Sequence, residues 1–250
     1  MKLTKIQCKK LGGLMPIARK PAKISNYQFM CAMLYIVENG CKWRALPKKY
    51  GNWHTIYMKF SRWSKNGTIT KILAAMKKQK LLNEEDYMFF IDSTSIKVSP
   101  DANRNKKNQK QSIGHSKGGL TTKLHLCCTS SCPVVFRLSP GNFHDAPEGR
   151  KLIGSIYSKN NNYLLIDRVY GVDKTLALAK NHGFKTVVPP KKNRKLPWSY
   201  VRHLYKHRNI IERYFLRLKR FRKVFTRYDK LDSIFISTIS LAFIFDLLFM

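Results

Sequence analysis

Two short apolar runs each lead into an aspartate, and this constrains the fold more than any other feature of the chain. Met88-Phe89-Phe90-Ile91 precedes Asp92, and Tyr163-Leu164-Leu165-Ile166 precedes Asp167. Their β-branched and aromatic residues predict strands over Tyr87–Val98 and Tyr163–Asp167. An ionised carboxylate in such company is costly unless something compensates it. A bound cation or a buried arginine would do so. A single buried strand aspartate fits either partner, and a pair of them in one basic chain favours the cation.

The chain is basic enough for the placement of its acids to carry information. It has 48 Lys and Arg against 14 Asp and Glu, a formal net charge of +34. Such a chain repels itself unless it meets a polyanion. Nucleic acid is the default partner, because each neutralised phosphate releases a counterion. Codon bias in an AT-rich genome accounts for part of the excess but not for its sign.

Six cysteines lack the paired spacing of a zinc ribbon. Cys128 and Cys132, with His125 nearby, make half a metal site at most, and their segment alternates like a strand. Buried thiols are the expectation there. With no secretory signal at the start, all six read as reduced thiols of a cytosolic protein. The apolar tail Ile234–Met250 is short for a membrane span and carries Asp246. A buried terminal helix, with no membrane partner, is expected.

Helical spacing predicts helices over Ser25–Glu38, Thr55–Lys65 and Thr70–Lys80. A helix, a turn and a basic second helix suit a DNA-reading module, with Arg44, Lys59 and Arg62 as contacts. A plain bundle with a solvated basic face is the alternative. The polar, acidic Asn83–Asp86 reads as a joint. The expected division is a helical DNA-binding domain at 1–85 and a catalytic domain at 86–250. Within the latter, Pro100–Gly119 is read as a mobile loop, and Thr122–Cys128 with Val134–Ser139 as a hairpin. Helices follow at Ala146–Tyr157 and Asp173–Asn181, a strand at Lys185–Val188 and a long helix at His203–Arg227. This order predicts an α/β fold, a mixed sheet flanked by helices, behind a small helical domain.

The long helix supplies the third acid. At roughly 100° per residue, Tyr205, Arg208, Glu212 and Lys219 fall within an arc of about 60°. Apolar Ile211, Phe215, Leu218 and Phe225 lie beside that stripe, so Glu212 is expected at the edge of the buried face, aimed along the sheet. Helix-surface ion pairs with Arg208 or Arg213 are the alternative for Glu212. Asp92, Asp167 and Glu212 at one sheet edge suit two divalent ions about 4 Å apart. Oxygen ligands favour Mg2+ or Mn2+. Tyr205, Arg208 and Lys219 would then hold phosphates. His144-Asp145 reads as a helix cap, with help near the metals as the alternative.

These residues resemble the bacterial insertion-sequence DDE transposases, in the insertion-sequence-five group of the insertion-sequence-four superfamily. Tyr205, Arg208, Glu212 and Lys219 resemble the Tyr-Arg-Glu-Lys signature of that superfamily, and Asp92-Ser93-Thr94-Ser95 its first-aspartate motif. Gly141-Asn142-Phe143-His144-Asp145 and Val188-Pro189-Pro190-Lys191-Lys192-Asn193-Arg194 are similar to two further blocks. So are Gly40-Cys41-Lys42-Trp43-Arg44 and Phe60-Ser61-Arg62-Trp63 near the start. The resemblance implies an RNase H-like catalytic domain in the bacterial cytoplasm, at the nucleoid. It implies an enzyme that binds terminal inverted repeats in double-stranded DNA, cuts them and joins the freed 3′ ends to target DNA. It also implies a homodimer in the synaptic complex. After Asp167 the family has a basic residue, Gly, Tyr and Asp; here Arg168, Val169, Tyr170 and Gly171 follow. That departure suits a catalytically decayed DNA-binding protein as the rival reading. A structural RNA-binding protein is a third, which the apolar-flanked acids argue against.

Overall fold

The computed structural model describes residues 2–16, 23–83, 87–103, 111–158, 162–191 and 193–249. Residues 84–86 of the predicted joint and 104–110 of the predicted mobile loop lie outside them. In chain order the elements begin with α1 (Lys5–Gly12), α2 (Asn26–Asn39), α3 (Trp53–Lys65) and α4 (Thr68–Asn83). Next come β1 (Met88–Val98), β2 (Gly114–Ser116), β3 (Gly119–Cys128), β4 (Pro133–Pro140) and α5 (Asp145–Ile153). The chain continues through β5 (Tyr163–Ile166), α6 (Asp173–Asn181), β6 (Lys185–Val187), α7 (Arg202–Tyr205), α8 (Asn209–Lys219), α9 (Arg222–Phe225) and α10 (Asp232–Phe249).

The chain forms two compact units. One gathers Met1–Gln79, Val98–Gln111 and Arg217–Met250, the other Lys80–Lys97 and Ser112–Leu216. This differs from the expected division at residue 85, because the last helix joins the first ones. Helix α10 is apolar nearly all round and packs on α2 and α3. Its length and composition would allow a membrane span. In the structure it is a core helix, with Phe235, Ile239, Ala242 and Phe243 fully buried. Ser25 caps α2 by accepting from the Gln28 amide at 3.1 Å, and Asn52 caps α3. Gly40 closes α2 at φ 64°, and a Cβ there would sit 3.0 Å from Arg222 Cβ. Conformation and space both call for glycine at that position.

The second unit is built on a mixed sheet. Its order is β2-β3-β1-β5-β6, with β4 pairing β3 on the side that β2 also occupies. Strands β1 and β3 pair antiparallel, while β1, β5 and β6 run parallel. Helix α5 packs on β3 and β4, and α6 on β6. This is the RNase H-like α/β arrangement expected. Side chains alternate across β1. Ile91 faces a core with Leu164, Ile166, Leu152, Ile153 and Phe184. Phe90 and Asp92 therefore face the opposite side of the sheet.

The helix expected over His203–Arg227 is interrupted. A 3-10 turn at Lys206–Arg208 separates α7 from α8, and extended backbone at Phe221 (φ −74°, ψ 102°) separates α8 from α9. Residues three apart eclipse in a 3-10 turn, which aligns Arg208 with Tyr205. Breaking at Phe221 lets that ring bury, with 3% exposed. The predicted loop also contains an unforeseen strand, β2, which pairs with Gly119–Thr121 at the edge of the sheet.

Candidate active site

Register sets Asp92 beside Asp167. Ile91 pairs with Ile166 across the parallel β1–β5 ladder, so the next residue on each strand is an aspartate. Both acids thus sit where β5 ends and β1 runs on, at the switch from parallel to antiparallel pairing. Crevices at such points are where open α/β sheets bind ligands.

Asp92 is held from two sides. The Ser93 amide donates to Oδ1 at 2.8 Å, and Arg208 Nη1 donates to Oδ2 at 2.8 Å. The same guanidinium uses Nη2 to donate to Glu212 Oε1 at 2.6 Å. Tyr205, one 3-10 turn earlier, donates its hydroxyl to Asp167 Oδ1 at 3.4 Å. Asp92, Asp167, Glu212, Tyr205 and Arg208 therefore belong to one network. Glu212 is 55% exposed and meets Asp92 through Arg208, as in the ion-pair alternative. Among the described residues, no group of three or more His, Cys, Asp and Glu side chains is close enough to hold a metal.

Burial raises the Asp92 pKa above the usual aspartate value. The Ser93 amide and Arg208 lower it, and the Asp167 charge raises it again. Arg208 outweighs the repulsion from Asp167, and it is burial that leaves the Asp92 pKa raised. Two neighbouring carboxylates, one of them largely out of water, fit a hard divalent cation.

The other sheet face supports β1 from behind. Ser93 Oγ donates to Asp145 Oδ1 at 2.9 Å, and Lys123 Nζ donates to the same oxygen at 3.0 Å. Asp145 was expected to cap α5. Instead, His144 holds the cap position without a side-chain bond, and Asp145 fixes the residue next to Asp92. Only the β1–β3 register reveals this, because it sets Lys123 opposite Ser95. His125 is fully buried, and burial lowers its pKa, so it is neutral. It bonds Ser139 at 2.8 Å and is not half of a metal site; Cys127, Cys128 and Cys132 are buried thiols outside any disulfide.

Tyr170 is a site residue that the sequence reading passed over. Its ring is 1% exposed, and a Cβ on Gly149 would lie 2.5 Å from it. Burial first, then the charges of Asp92, Asp145 and Asp167, push its phenol well up, so it stays protonated among three carboxylates. Val169 occupies a 3-10 turn at Arg168–Tyr170 with 49% exposure. Such a turn has negative φ and does not call for glycine.

The remaining predicted contacts lie in the helical unit. Arg62 is open, lining a groove of about 390 Å³ with Met58, Ser61, Lys65 and Asn66. Arg44 lies over the Trp53 ring at 5.6 Å. Lys219 also belongs to this unit, and burial lowers its pKa. Lys59 is not free for a phosphate. Its ammonium sits 4.9 Å from the Phe29 ring and 5.0 Å from Trp63, and it donates to Asn26 Oδ1 at 2.8 Å. Burial, then Arg62, lowers its pKa. Lys59→Met is therefore expected to cost about 1–3 kcal/mol of stability, from a partly desolvated cation–π site and one hydrogen bond. A melting curve reads that loss. The salt dependence of DNA binding should not change, and a slope reduced by about one phosphate contact would return Lys59 to the DNA surface.

Comparison with known proteins places this geometry in context. Residues 83–246 match the family described as "Transposase DDE domain". Residues 3–73 match one described as "Putative transposase of IS4/5 family". A relative from Brucella ovis, "Putative transposase for insertion sequence element IS6501", is 28% identical over 125 residues, covering 49% of this chain and 95% of its own length. "Uncharacterized protein y4sN" from Sinorhizobium fredii is 24% identical over 99 residues, 38% of this chain and 76% of its own. Among solved structures, a piggyBac transposase synaptic complex with hairpin DNA is similar at a TM-score of 0.39 and 9% identity. That likeness covers 77% of this chain, which spans only 48% of the piggyBac chain. A pre-cleavage Mos1 transpososome gives 0.29 and 10%, covering 93% of this chain and 81% of the other.

Proposed function

The chain belongs to the transposase DDE domain family, and from that premise we propose that it binds the ends of an insertion sequence and cuts and rejoins their DNA strands with divalent metal ions. The observation that supports this reading is that Asp92 and Asp167 each follow the Ile91–Ile166 pair of β1 and β5, with Glu212 joined to Asp92 through Arg208. Asp92, Asp167 and Glu212 would hold two ions, Mg2+ or Mn2+. When bound, such ions activate a water or 3′-hydroxyl nucleophile and stabilise the leaving oxygen.

The chain's own residues do the positioning. The Ser93 amide fixes one oxygen of Asp92, and Asp145 fixes Ser93 in turn. Arg208 neutralises Asp92 and Glu212 while DNA is absent. Its planar fork matches a phosphate as well as two carboxylates, so bound DNA can draw it onto a non-bridging phosphate oxygen. Glu212 is then free to turn inward. Tyr205, already bonded to Asp167, lies next to that phosphate position. Arg62 and Arg44 would hold the duplex through the helical unit, acting as a DNA-binding domain, and two copies would join the two ends.

The test is a nicking assay on duplexes carrying the element's terminal repeats, with Mg2+ and with EDTA. Strand cleavage confined to the Mg2+ arm is expected. A protein that holds these duplexes but nicks none of them in Mg2+ or Mn2+ would be a binder only.

A further inference from the structure

Beside Asp167 lies a cleft of about 640 Å³, lined by Asp167, Arg168, Val169, Lys191 and Asn193. Neither Arg168, Lys191 nor Asn193 has a part in the network that holds the carboxylates. We propose that this cleft is a nucleotide subsite, which takes one sugar-phosphate of a single DNA strand next to the scissile phosphate. The inference rests on the transposase reading for the identity of that strand.

The far wall of the cleft is pinned in place. Trp198 Nε1 donates to the Val188 carbonyl at 2.8 Å, and the Arg194 guanidinium lies over the Trp198 ring at 4.3 Å. Arg194 also pairs with Asp173, and its amide donates to the Lys191 carbonyl at 3.1 Å. Residues 188–191 and 193–198 are thus tied to one another, with Lys191 and Asn193 on the rim. The near wall is the turn that follows Asp167. A Cβ on Gly171 would stand 3.2 Å from Val188 Cγ2, so this glycine lets the two walls approach. The unusual position of the glycine after Asp167 therefore has a use.

The lining matches the parts of a nucleotide. Arg168 and Lys191 supply positive charge for a phosphate, and the Asn193 amide offers both a donor and an acceptor to a sugar or base edge. Val169 gives an apolar wall. The Asp167 carboxylate forbids a phosphate at its own end, so the phosphate belongs between Arg168 and Lys191. The volume lies within the range of about 300–1,000 Å³ typical of small-molecule sites, too small for a duplex and ample for one nucleotide. An acidic peptide would satisfy the cations but leave the Asn193 amide and the apolar wall without a purpose.

The probe is thymidine 3′,5′-bisphosphate, titrated into the full chain labelled with 15N, with no metal added. Shifts are expected at Arg168, Val169, Lys191 and Asn193. The double variant K191A/N193A should raise the dissociation constant at least tenfold while keeping its melting temperature. Shifts elsewhere, or unchanged affinity in the folded variant, would overturn the proposal. So would identical shifts with inorganic phosphate at the same concentration, since the cleft would then be a plain anion site. Nicking by the wild-type chain is scored separately. Shifts at the cleft without nicking would sink the transposase reading and leave the nucleotide site standing.

Discussion

Asp92→Asn is expected to lower metal-dependent strand cleavage by at least about a thousandfold, a loss of roughly 4 kcal/mol of transition-state stabilisation, and to raise the melting temperature in EDTA. Both effects come from the same buried charge. The folded-state pKa of Asp92 is raised, chiefly by burial. A carboxylate with a raised pKa binds its proton more tightly in the folded chain than in the unfolded one. It therefore favours folding below its unfolded pKa and opposes folding increasingly as pH rises through its folded pKa. Asparagine removes this penalty at neutral pH, and its one oxygen still accepts from the Ser93 amide while the bond from Arg208 to the second oxygen is given up. Each kcal/mol regained would raise the melting temperature by about 2–4 °C in a chain of this size. Duplex binding should stay within about twofold, because phosphate contacts dominate affinity. Cleavage at the wild-type rate would remove Asp92 from the active site. A lower melting temperature in EDTA would show that Arg208 more than offsets the cost of burying it.

Gly141→Ala is expected to be the most damaging small substitution, at about 2–4 kcal/mol, because it overpacks a site walled partly by backbone. The new Cβ would fall on Thr121 Oγ1, 2.9 Å from its Cβ and 3.0 Å from its carbonyl oxygen. That carbonyl accepts from the Gly141 amide at 3.1 Å, so the two segments cannot separate without losing the bond. The loop that starts at Gly141 leads to Asp145, and cleavage should fall along with stability. Adding Thr121→Ala removes the hydroxyl but not the carbonyl, so the double variant should recover only part of the loss. Urea unfolding of the single and double variants checks this. A single variant as stable as the wild type would mean the loop relaxes freely.

Much of the site was legible because its signals are local. An aspartate after an apolar run can be read without a partner. The stripe of Tyr205, Arg208 and Glu212 follows from helical spacing and survives the 3-10 turn, which keeps residues three apart aligned. Helix α6 was read at its full length, since Gly183 closes it at φ 78°. What was missed depends on long-range pairing. Ser93, Lys123 and Asp145 meet through strand register, which no window of sequence contains. A basic residue on a helix face does not reveal whether its stem turns inward, and Lys59 does so because Phe29 and Trp63 offer it two ring faces. The break at Phe221 was hidden because a ring at helical spacing looks the same whether the helix continues or the ring turns in.

The place of α10 also bears on how the chain is made. Helices α2 and α3 leave the ribosome before the sheet, yet the helix that completes their core is synthesised after it. Domains usually fold in the order of translation. Here the first helices must wait with apolar faces uncovered while the sheet is built. A message truncated before Asp232 would then release a product with an unfinished helical unit, open to proteolysis and poor at holding DNA, even if its strands had paired. Closure of the helical unit thus reports that synthesis has passed through the sheet and on to α10.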